Sequence, residues 1–514
     1  MTKDGAEKML NIFGLVKMIN TNKDQFIQKD EVQKFIKKQK SPSVFNEYLQ
    51  SINDQVNVWE FQEHMGQIAC EAKEKTGNEA SIEFKKKKYD KEYEKCSLEA
   101  INEMRDQAYI FHGHKTKDKE TFNVLFGTLM REAIKEGNMY NVYEKLEQIE
   151  LKEPITMEFI KEYCKQGGYD FQLPKGVTLS SDIDWSNSED VFYYLSFDES
   201  TFADTPREHL PENYDPQQVF DKGKTLGLGI DEAHEKGYTG KGVSVAICDW
   251  QLKPHNDLNV KEYQCGEYAA QVEDYFHASA VTGILAGQKT GVAPDADVYF
   301  FAEYQDRSET GGNDMINTLR SIIEKNKTLP ENQRIRVVSI SGSIYGEQQE
   351  AQALVKELTD AGVWVLSSEE FWNDFGYLEK KDPMGDADDF NNYQINNPND
   401  DEHPEQGLYV TSGNRTVPDP TNETAYRHDS RASASWAIPV VAGYYALACQ
   451  ADPSMTPEKF KQLAAETARV QESTTWKNPR DQFEGRTEET VPIKIIDINA
   501  LLQRIEEEKL QCAE

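Results

Sequence analysis

The stretch Gly242-Val-Ser-Val-Ala-Ile-Cys-Asp249 decides the fold predicted for this chain. Its apolar run is typical of a buried strand, and it delivers a carboxylate at its C-terminal end. Acidic side chains in this position lie where open α/β sheets place their chemistry. The stretch therefore predicts an α/β domain, with a mostly parallel sheet flanked by helices and with Asp249 at its functional edge.

Two later segments contain a histidine and a serine that could act together with the Asp249 carboxylate. His277 opens a helix of small and apolar residues that runs to Gly287, and Ser435 lies shortly before Pro439 in a second such helix. A serine hydroxyl needs an adjacent base to become a nucleophile, and a carboxylate can orient that base. Taken singly, each residue has another explanation. Asp249 could cap a turn, His277 could lie on a helix surface, and Ser435 could allow close packing. Their order, flanks and spacings together favour a catalytic triad.

The order acid, base, nucleophile resembles the subtilisin-like serine proteases, the subtilases. The lead-in Gly237-Tyr-Thr-Gly-Lys-Gly-Val-Ser-Val-Ala-Ile-Cys-Asp249 carries the same resemblance, which covers roughly residues 225–505. The chain departs from the family in Ala278-Ser279-Ala280 and in Ser433-Ala434, and Ser435-Trp-Ala-Ile-Pro439 is similar to a divergent bacterial branch. The resemblance implies an endopeptidase that cleaves peptides or proteins through an acyl-enzyme intermediate.

The resemblance also implies groups that bind the substrate and its oxyanion. The backbone N–H of Ser435 should be one oxyanion donor, and the family adds an Asn after the strand that here is Gly362-Val-Trp-Val-Leu-Ser-Ser368. The register puts Phe371 at that position, so Asn373 is the candidate donor. An alternative therefore stays open, in which an inactive pseudoprotease binds peptides or proteins in response to calcium. The segment that resembles the family's substrate-binding strand ends in Ser341, Gly342 and Ser343.

A second motif lies near the N-terminus, in Asn20-Thr-Asn-Lys-Asp-Gln-Phe-Ile-Gln-Lys-Asp-Glu31. Oxygen-bearing side chains at positions 1, 3, 5, 9 and 12 match the ligand spacing of an EF-hand calcium loop. Two departures, Asn20 at the first position and Gln25 in place of glycine, leave open a helical pair that has lost its calcium affinity. The candidate Ca²⁺ ligands are Asn20, Asn22, Asp24, Phe26, Gln28 and Glu31.

A second loop, 49–60, resembles a degenerate EF-hand that is kept for pairing. Leu49 occupies its first position and offers no side-chain oxygen, so no metal is expected there. Ile27 and Val56 occupy position 8 of the two loops, where paired EF-hands exchange a short β-bridge. The sequence predicts that these two residues lie opposite each other.

Composition limits the partners and the organisation of the chain. With 57 basic against 90 acidic residues in 514, the formal charge is −33, which argues against nucleic acid and anionic membranes as partners. The seven cysteines show no metal spacing, and their odd number argues against a complete disulfide framework. The absence of an evident signal peptide predicts a cytoplasmic location. The oligomeric state is left open. The predicted regions are an all-α EF-hand-like pair (1–70), a charged helical connector or possible prosegment (71–225), the catalytic domain (226–505) and a C-terminal tail (506–514).

Overall fold

The computed structural model divides the chain into two compact units. One comprises Met1–Tyr169 with Asp306–Gly311, and the other comprises Asp170–Gln305 with Gly312–Glu514. We refer to them as the N-terminal and C-terminal units. The structure describes residues 12–21, 26–52, 55–58, 61, 64–65, 68–69, 72, 75, 82–112, 119–136, 142, 145–146, 171–172, 184–187, 195–199, 201–202, 205–271, 276–303, 314–344, 348–395, 407–430, 433–476 and 488–513.

The described part of the N-terminal unit is mainly helical. Large apolar side chains at helical spacing, including Leu15, Phe35 and Phe45, are at most 1% exposed and form one core. Two long helices follow in the region predicted as a helical connector, and Tyr109 packs edge to face on Phe122 between them, with ring centroids 5.1 Å apart. The helices of this unit are Ile12–Ile19, Lys29–Lys38, Asn46–Ser51, Lys87–His112 and Lys119–Glu136.

Two short strands join the first helices of this unit. Strand β1 (Phe26–Gln28) pairs antiparallel with β2 (Gln55–Asn57), and the register places Ile27 opposite Val56. Ile27 is fully buried in the core of the unit. The predicted pairing of these two residues is therefore confirmed.

The C-terminal unit is built from three sheets with helices around them. The described order is β6-β7-β5-β8-β9 in one sheet, β11-β10-β12-β16-β15 in the second and β13-β14-β4-β3 in the third. Its strands are β3 (Phe171–Gln172), β4 (Leu195–Asp198), β5 (Ser244–Asp249), β6 (Val260–Cys265), β7 (Asp297–Ala302), β8 (Ile335–Ile340), β9 (Trp364–Leu366), β10 (Phe375–Lys380), β11 (Tyr393–Ile395), β12 (Leu408–Thr411), β13 (Arg415–Pro418), β14 (Tyr426–Asp429), β15 (Arg469–Trp476) and β16 (Glu488–Ile495). Its helices are Pro216–Lys224, Ile230–Glu235, Phe276–Ala286, Met315–Thr328, Gln348–Asp360, Ser368–Asp374, Ala434–Ala451, Pro457–Thr467 and Ile498–Ala513.

The first sheet is parallel throughout and is covered on both faces. On β5, Val245 and Ile247 face the core that contains the helix Ala434–Ala451, whereas Ala246 and Cys248 face the core formed with Met315–Thr328. Successive side chains of a strand point to opposite faces, so a strand that is covered on both sides must be apolar throughout. This explains the continuous apolar run that precedes Asp249.

The C-terminal unit begins earlier than the predicted boundary at residue 226. Strand β4 pairs antiparallel with β14, and Ser196 in β4 accepts a hydrogen bond from the backbone N–H of Ser430 at 3.0 Å. The end of the chain also differs from a predicted tail at 506–514, because the last helix continues to Ala513. Part of the connector thus packs as an integral piece of this unit.

None of the helices in the described part of the chain is both long enough and apolar enough to cross a membrane.

Candidate active site

Asp249 ends β5 at the carboxyl edge of the parallel sheet and is 5% exposed. Its Oδ1 accepts a hydrogen bond from the backbone N–H of Trp250 at 2.8 Å. The Nδ1 of His277 lies 3.0 Å from Oδ1 and 2.9 Å from Oδ2. A buried carboxylate with these contacts fixes both the position and the orientation of the imidazole.

His277 lies in the first turn of the helix Phe276–Ala286, and its side chain is 24% exposed. The small buried residues Ala278 and Ala280 let this helix pack closely on the sheet. Because Asp249 accepts the proton of Nδ1, the Nε2 of the neutral ring is left as the basic nitrogen. The pair can therefore serve as a general base that is oriented by a carboxylate.

Ser435 lies in the first turn of the helix Ala434–Ala451, which we call the nucleophile helix. It contacts the residue that follows β8: the Ser435 hydroxyl donates to the Ser341 carbonyl at 3.3 Å, and the Ser341 hydroxyl donates to the Ser435 carbonyl at 2.8 Å. Among the described contacts, no hydrogen bond joins Ser435 to His277. Catalysis would require the hydroxyl to rotate away from Ser341 toward Nε2, as catalytic hydrogen bonds often tighten only when substrate is bound.

Trp436 packs between the helices that carry His277 and Ser435. Its indole ring lies beside the imidazole of His277, with centroids 5.1 Å apart and planes inclined at 34°. Trp436 directly follows Ser435 and is 4% exposed, so this contact places His277 next to the start of the nucleophile helix. The sequence showed Trp436 within the serine motif but gave no signal for its contact with the base.

Ser412 is a second residue that sequence reasoning missed. It follows β12 and is fully buried, and its hydroxyl donates to the carbonyl of Ser433 at 2.7 Å while accepting from the Ser433 backbone N–H at 2.8 Å. These two bonds fix the backbone two residues before Ser435. A buried serine at a strand end has no distinctive sequence pattern, so only the fold identifies it.

The candidate oxyanion donors differ in their surroundings. The backbone N–H of Ser435 lies in the first helical turn, where N–H groups lack intrahelical acceptors, and no described group accepts from it. Phe371 is fully buried, whereas Asn373 is exposed near the end of the helix Ser368–Asp374 and makes no hydrogen bond to a described residue. The arrangement therefore provides a backbone donor at the nucleophile.

The predicted substrate-binding residues follow β8 at the same edge of the sheet. Ser341, Gly342 and Ser343 are all partly exposed, and the Gly342 carbonyl accepts from the Ser368 backbone N–H at 3.0 Å. A Cβ added at Gly342 would meet nothing within 4 Å. An extended peptide laid beside this segment would pass the Ser435 hydroxyl.

Cys248 precedes Asp249 and is excluded as a nucleophile by its surroundings. Burial raises the pKa of its thiol well above the usual value, and the charges of Glu303 and Asp249 act in the same direction. A thiol that stays protonated is a poor nucleophile. Cys248 therefore serves as a small core residue.

The calcium candidates lie in the N-terminal unit and are described only in part. Asn22 and Asp24 lie outside the described residues. Glu31 is 4% exposed, and its Oε1 accepts from the backbone N–H and the hydroxyl of Thr21, both at 2.7 Å. Its Oε2 accepts from the backbone N–H of Gln28 at 3.1 Å. The last carboxylate of the candidate loop thus turns inward onto the loop that it would close.

Two further calcium candidates, Asn20 and Phe26, lie among the described residues. Asn20 is buried, Phe26 could offer its carbonyl, and the side chain of Phe26 is 38% exposed. Within the described ranges, no group of three or more His, Cys, Asp or Glu side chains could hold a metal ion. The described part of the loop therefore contains one buried candidate carboxylate, that of Glu31.

Comparison with known proteins finds similarity in part of the C-terminal unit. Residues 240–369 match the model of the subtilase family, Peptidase_S8, and this segment contains Asp249 and His277. The match supports a subtilase-type α/β domain in the C-terminal unit, in agreement with its parallel sheet. Ser435 lies beyond the matched segment.

Individual relatives are similar over short segments. The chain is 27% identical over 118 residues to the minor extracellular protease Epr of Bacillus subtilis. The matched segment covers 21% of this chain and 18% of that protein. It is 28% identical over 193 residues to the subtilisin-like protease SBT6.1 of Arabidopsis thaliana (35% and 17%), and 36% identical over 75 residues to subtilisin Savinase of Lederbergia lenta (13% and 28%). The chain thus spans less than a third of the length of these relatives.

Among solved structures, the chain is similar to one described as proteases from Pseudoalteromonas arctica PAMC 21717. The sequence identity is 18% and the TM-score is 0.36, with 57% of this chain and 98% of the other chain covered.

Proposed function

We propose that this protein is a serine endopeptidase that hydrolyses peptide bonds through Asp249, His277 and Ser435. The observation that carries the proposal is the contact at 2.9 Å between the His277 imidazole and the buried Asp249 carboxylate. The Trp436 ring, 5.1 Å from the imidazole, brings the start of the nucleophile helix close to this pair. The similarity of residues 240–369 to the subtilase family supports the same chemistry.

In the proposed mechanism, a peptide lies along Ser341, Gly342 and Ser343 with its scissile carbonyl at Ser435. The Ser435 hydroxyl leaves the Ser341 carbonyl, gives its proton to Nε2 of His277 and attacks the carbonyl carbon. Asp249 stabilises the imidazolium that results. His277 then protonates the leaving amine, and water hydrolyses the acyl-enzyme by the same steps in reverse.

The developing oxyanion needs donors that are in place before the reaction. The N–H of Ser435 provides one from the first turn of a helix, where the helix dipole also favours negative charge. Asn373 is the proposed side-chain donor, and it would have to approach the site when substrate binds, since it is exposed and without a described hydrogen bond. Loss of one such donor typically costs about 3 kcal/mol of transition-state stabilisation.

Labelling by a fluorophosphonate probe tests the proposal directly. We expect labelling of the wild-type protein, none of Ser435→Ala, and unchanged labelling of Ser433→Ala. Ser433 is a matched control because it lies two residues away and its side chain makes no described hydrogen bond. Labelling that persists in Ser435→Ala, or a wild-type protein that is never labelled, would contradict the proposal.

A pseudoprotease that binds peptides without cleaving them is the second candidate. It is favoured by the bond from the Ser435 hydroxyl to the Ser341 carbonyl and by the exposed position of Asn373. Binding of a peptide library at the same affinity by wild type and Ser435→Ala, together with no labelling and no cleavage, would support this candidate.

We further propose that residues 1–70 form an EF-hand pair that regulates the peptidase through Ca²⁺. The pairing of Ile27 with Val56 and the inward Glu31 carboxylate support it. Calcium would be held by Asn20, Asn22, Asp24, Gln28, Glu31 and the carbonyl of Phe26. A calorimetric titration of wild type against Glu31→Gln tests this. Heat of binding that is lost in the variant would support the proposal, and a flat wild-type trace would refute it.

A further inference from the structure

Two cationic side chains lie inside the C-terminal unit, at the end of β10 and at the start of β13. The side chain of Asn414, just before β13, donates to the Lys380 carbonyl at 3.2 Å. Lys380 ends β10 and is 4% exposed, and Arg415 begins β13 and is 3% exposed. Tyr444 of the nucleophile helix is fully buried, and its hydroxyl lies within electrostatic range of the guanidinium. We call Lys380, Arg415 and Tyr444 the buried cationic cluster.

The donor atoms of this cluster lack acceptors. In the described part of the chain, neither Nζ of Lys380, a terminal guanidinium nitrogen of Arg415, nor the hydroxyl of Tyr444 has a hydrogen-bond partner. The Nε of Arg415 donates to the carbonyl of Ser412 at 3.0 Å. Buried charges are strongly unfavourable unless they are paired, so three unpaired donors in one region call for an acceptor.

The nearby carboxylates do not supply that acceptor. Asp429 lies opposite Arg415 in the strand register, yet it forms no described ion pair with it and accepts from the Ser196 hydroxyl instead. Asp388 and Asp382 accept from backbone N–H groups. No described acidic side chain lies within ion-pair distance of Lys380 or Arg415. Among the residues that the structure describes, no acidic side chain therefore neutralises the positive charge of the cluster.

The electrostatic environment agrees with this geometry. Burial lowers the pKa of Lys380 to about 7, and the charges of Arg415 and Lys222 act in the same direction, against weaker opposing effects of Asp388 and Asp382. Burial likewise lowers the pKa of His428 to about 3, so the histidine stays neutral and adds no charge. An anion placed among these donors would restore the ordinary pKa of the lysine.

We propose that the buried cationic cluster binds a small inorganic anion, with chloride as the representative ligand. The lysine ammonium and the guanidinium nitrogen can only donate, and the tyrosine hydroxyl can donate as well, so the cluster favours a negatively charged acceptor over a metal cation. The members are at most 4% exposed, so the site takes a monatomic ion in preference to an organic acid. This site is separate from the proposed triad, and its test does not depend on peptidase activity.

Thermal unfolding of the full chain tests the proposal at constant ionic strength and pH 7, with sodium chloride replacing sodium gluconate. Chloride should raise the apparent Tm of wild type by about 4 °C when it is present at about a hundredfold excess over its Kd. Lys380→Met should lose this effect. Lys381→Met is the matched control, because Lys381 is the adjacent lysine, is exposed, and should keep the effect. A wild-type Tm that is the same in both salts, or a chloride effect that survives in Lys380→Met, would overturn the proposal.

A crystal of the wild-type protein soaked in bromide gives a readout that needs no variant. We expect an anomalous peak within hydrogen-bond distance of the Lys380 Nζ and the Arg415 guanidinium. Bromide peaks that are confined to the protein surface would overturn the proposal even if Lys380→Met did not fold.

Discussion

The stability of the C-terminal unit should depend on pH through Lys380 when no anion is present. The pKa of this lysine is about 7 in the folded protein, against 10.5 for an ordinary lysine. Below pH 7 both states are protonated, and the folded state bears the full cost of a buried charge. As the pH rises from 7 toward 10.5, the folded state releases its proton before the unfolded state does, so the free energy of unfolding increases with pH.

The size of the effect follows from the same two pKa values. A proton that is bound only in the unfolded state contributes about 1.4 kcal/mol per pH unit, and the whole interval from 7 to 10.5 corresponds to about 5 kcal/mol. Between pH 7.5 and 9.5, wild type should gain about 2.5 kcal/mol relative to Lys380→Met in chloride-free gluconate buffer. Titrations common to both proteins cancel in this difference.

Urea unfolding followed by tryptophan fluorescence measures this difference. Trp59 is the single tryptophan of the N-terminal unit among the seven of the chain, so the signal comes mainly from the C-terminal unit. Lys381→Met should follow the wild-type pH dependence. Equal slopes in wild type and Lys380→Met would show that Lys380 stays protonated in the folded state, and the reasoning from burial would then be refuted. Added chloride should reduce the slope of wild type, because an anion favours the charged lysine.

Three further substitutions test contacts within the C-terminal unit. Asp249→Asn should lower the rate of fluorophosphonate labelling by roughly 10⁴-fold, because the tautomer of His277 is lost, and a change of less than tenfold would argue against the triad. Trp436→Leu should slow fluorophosphonate labelling by about tenfold, because the indole beside His277 is lost and the imidazole is positioned less precisely, and an unchanged rate would remove that role. Ser196→Ala should destabilise the C-terminal unit by about 1 to 3 kcal/mol in urea unfolding, because the buried N–H of Ser430 loses its acceptor. A loss below 0.5 kcal/mol, the size expected of a neutral surface change, would contradict this.

The strand and the paired residues of the site could be predicted because their signals are local. The apolar run before Asp249 reflects burial on both faces of β5, and the structure places His277 on the carboxylate as the sequence implied. The position of Ile27 opposite Val56 follows equally from loop spacing. These predictions depend on periodicity and on fixed offsets, which a single sequence displays.

The surroundings of Asn373 could not be predicted in the same way. Ser367 accepts a hydrogen bond from the backbone N–H of Glu370 and so caps the helix Ser368–Asp374 directly after β9. This early helix buries Phe371 in the core and leaves Asn373 on the surface. The side-chain oxyanion donor expected from the family pattern therefore stays a prediction, and its outcome depends on whether substrate moves the helix.

The hydrogen bonds of Arg415 and Ser412 could not be predicted from the sequence, because they are tertiary contacts. The Arg415 Nε donates to the Ser412 carbonyl, and the Ser412 hydroxyl in turn holds both the N–H and the carbonyl of Ser433. These bonds join the buried cationic cluster to the backbone two residues before Ser435, across segments that lie far apart in sequence. Each side chain taken alone reads as an ordinary polar residue. The proposed anion site and the proposed triad are therefore linked by a short series of hydrogen bonds that passes through the fully buried Ser412.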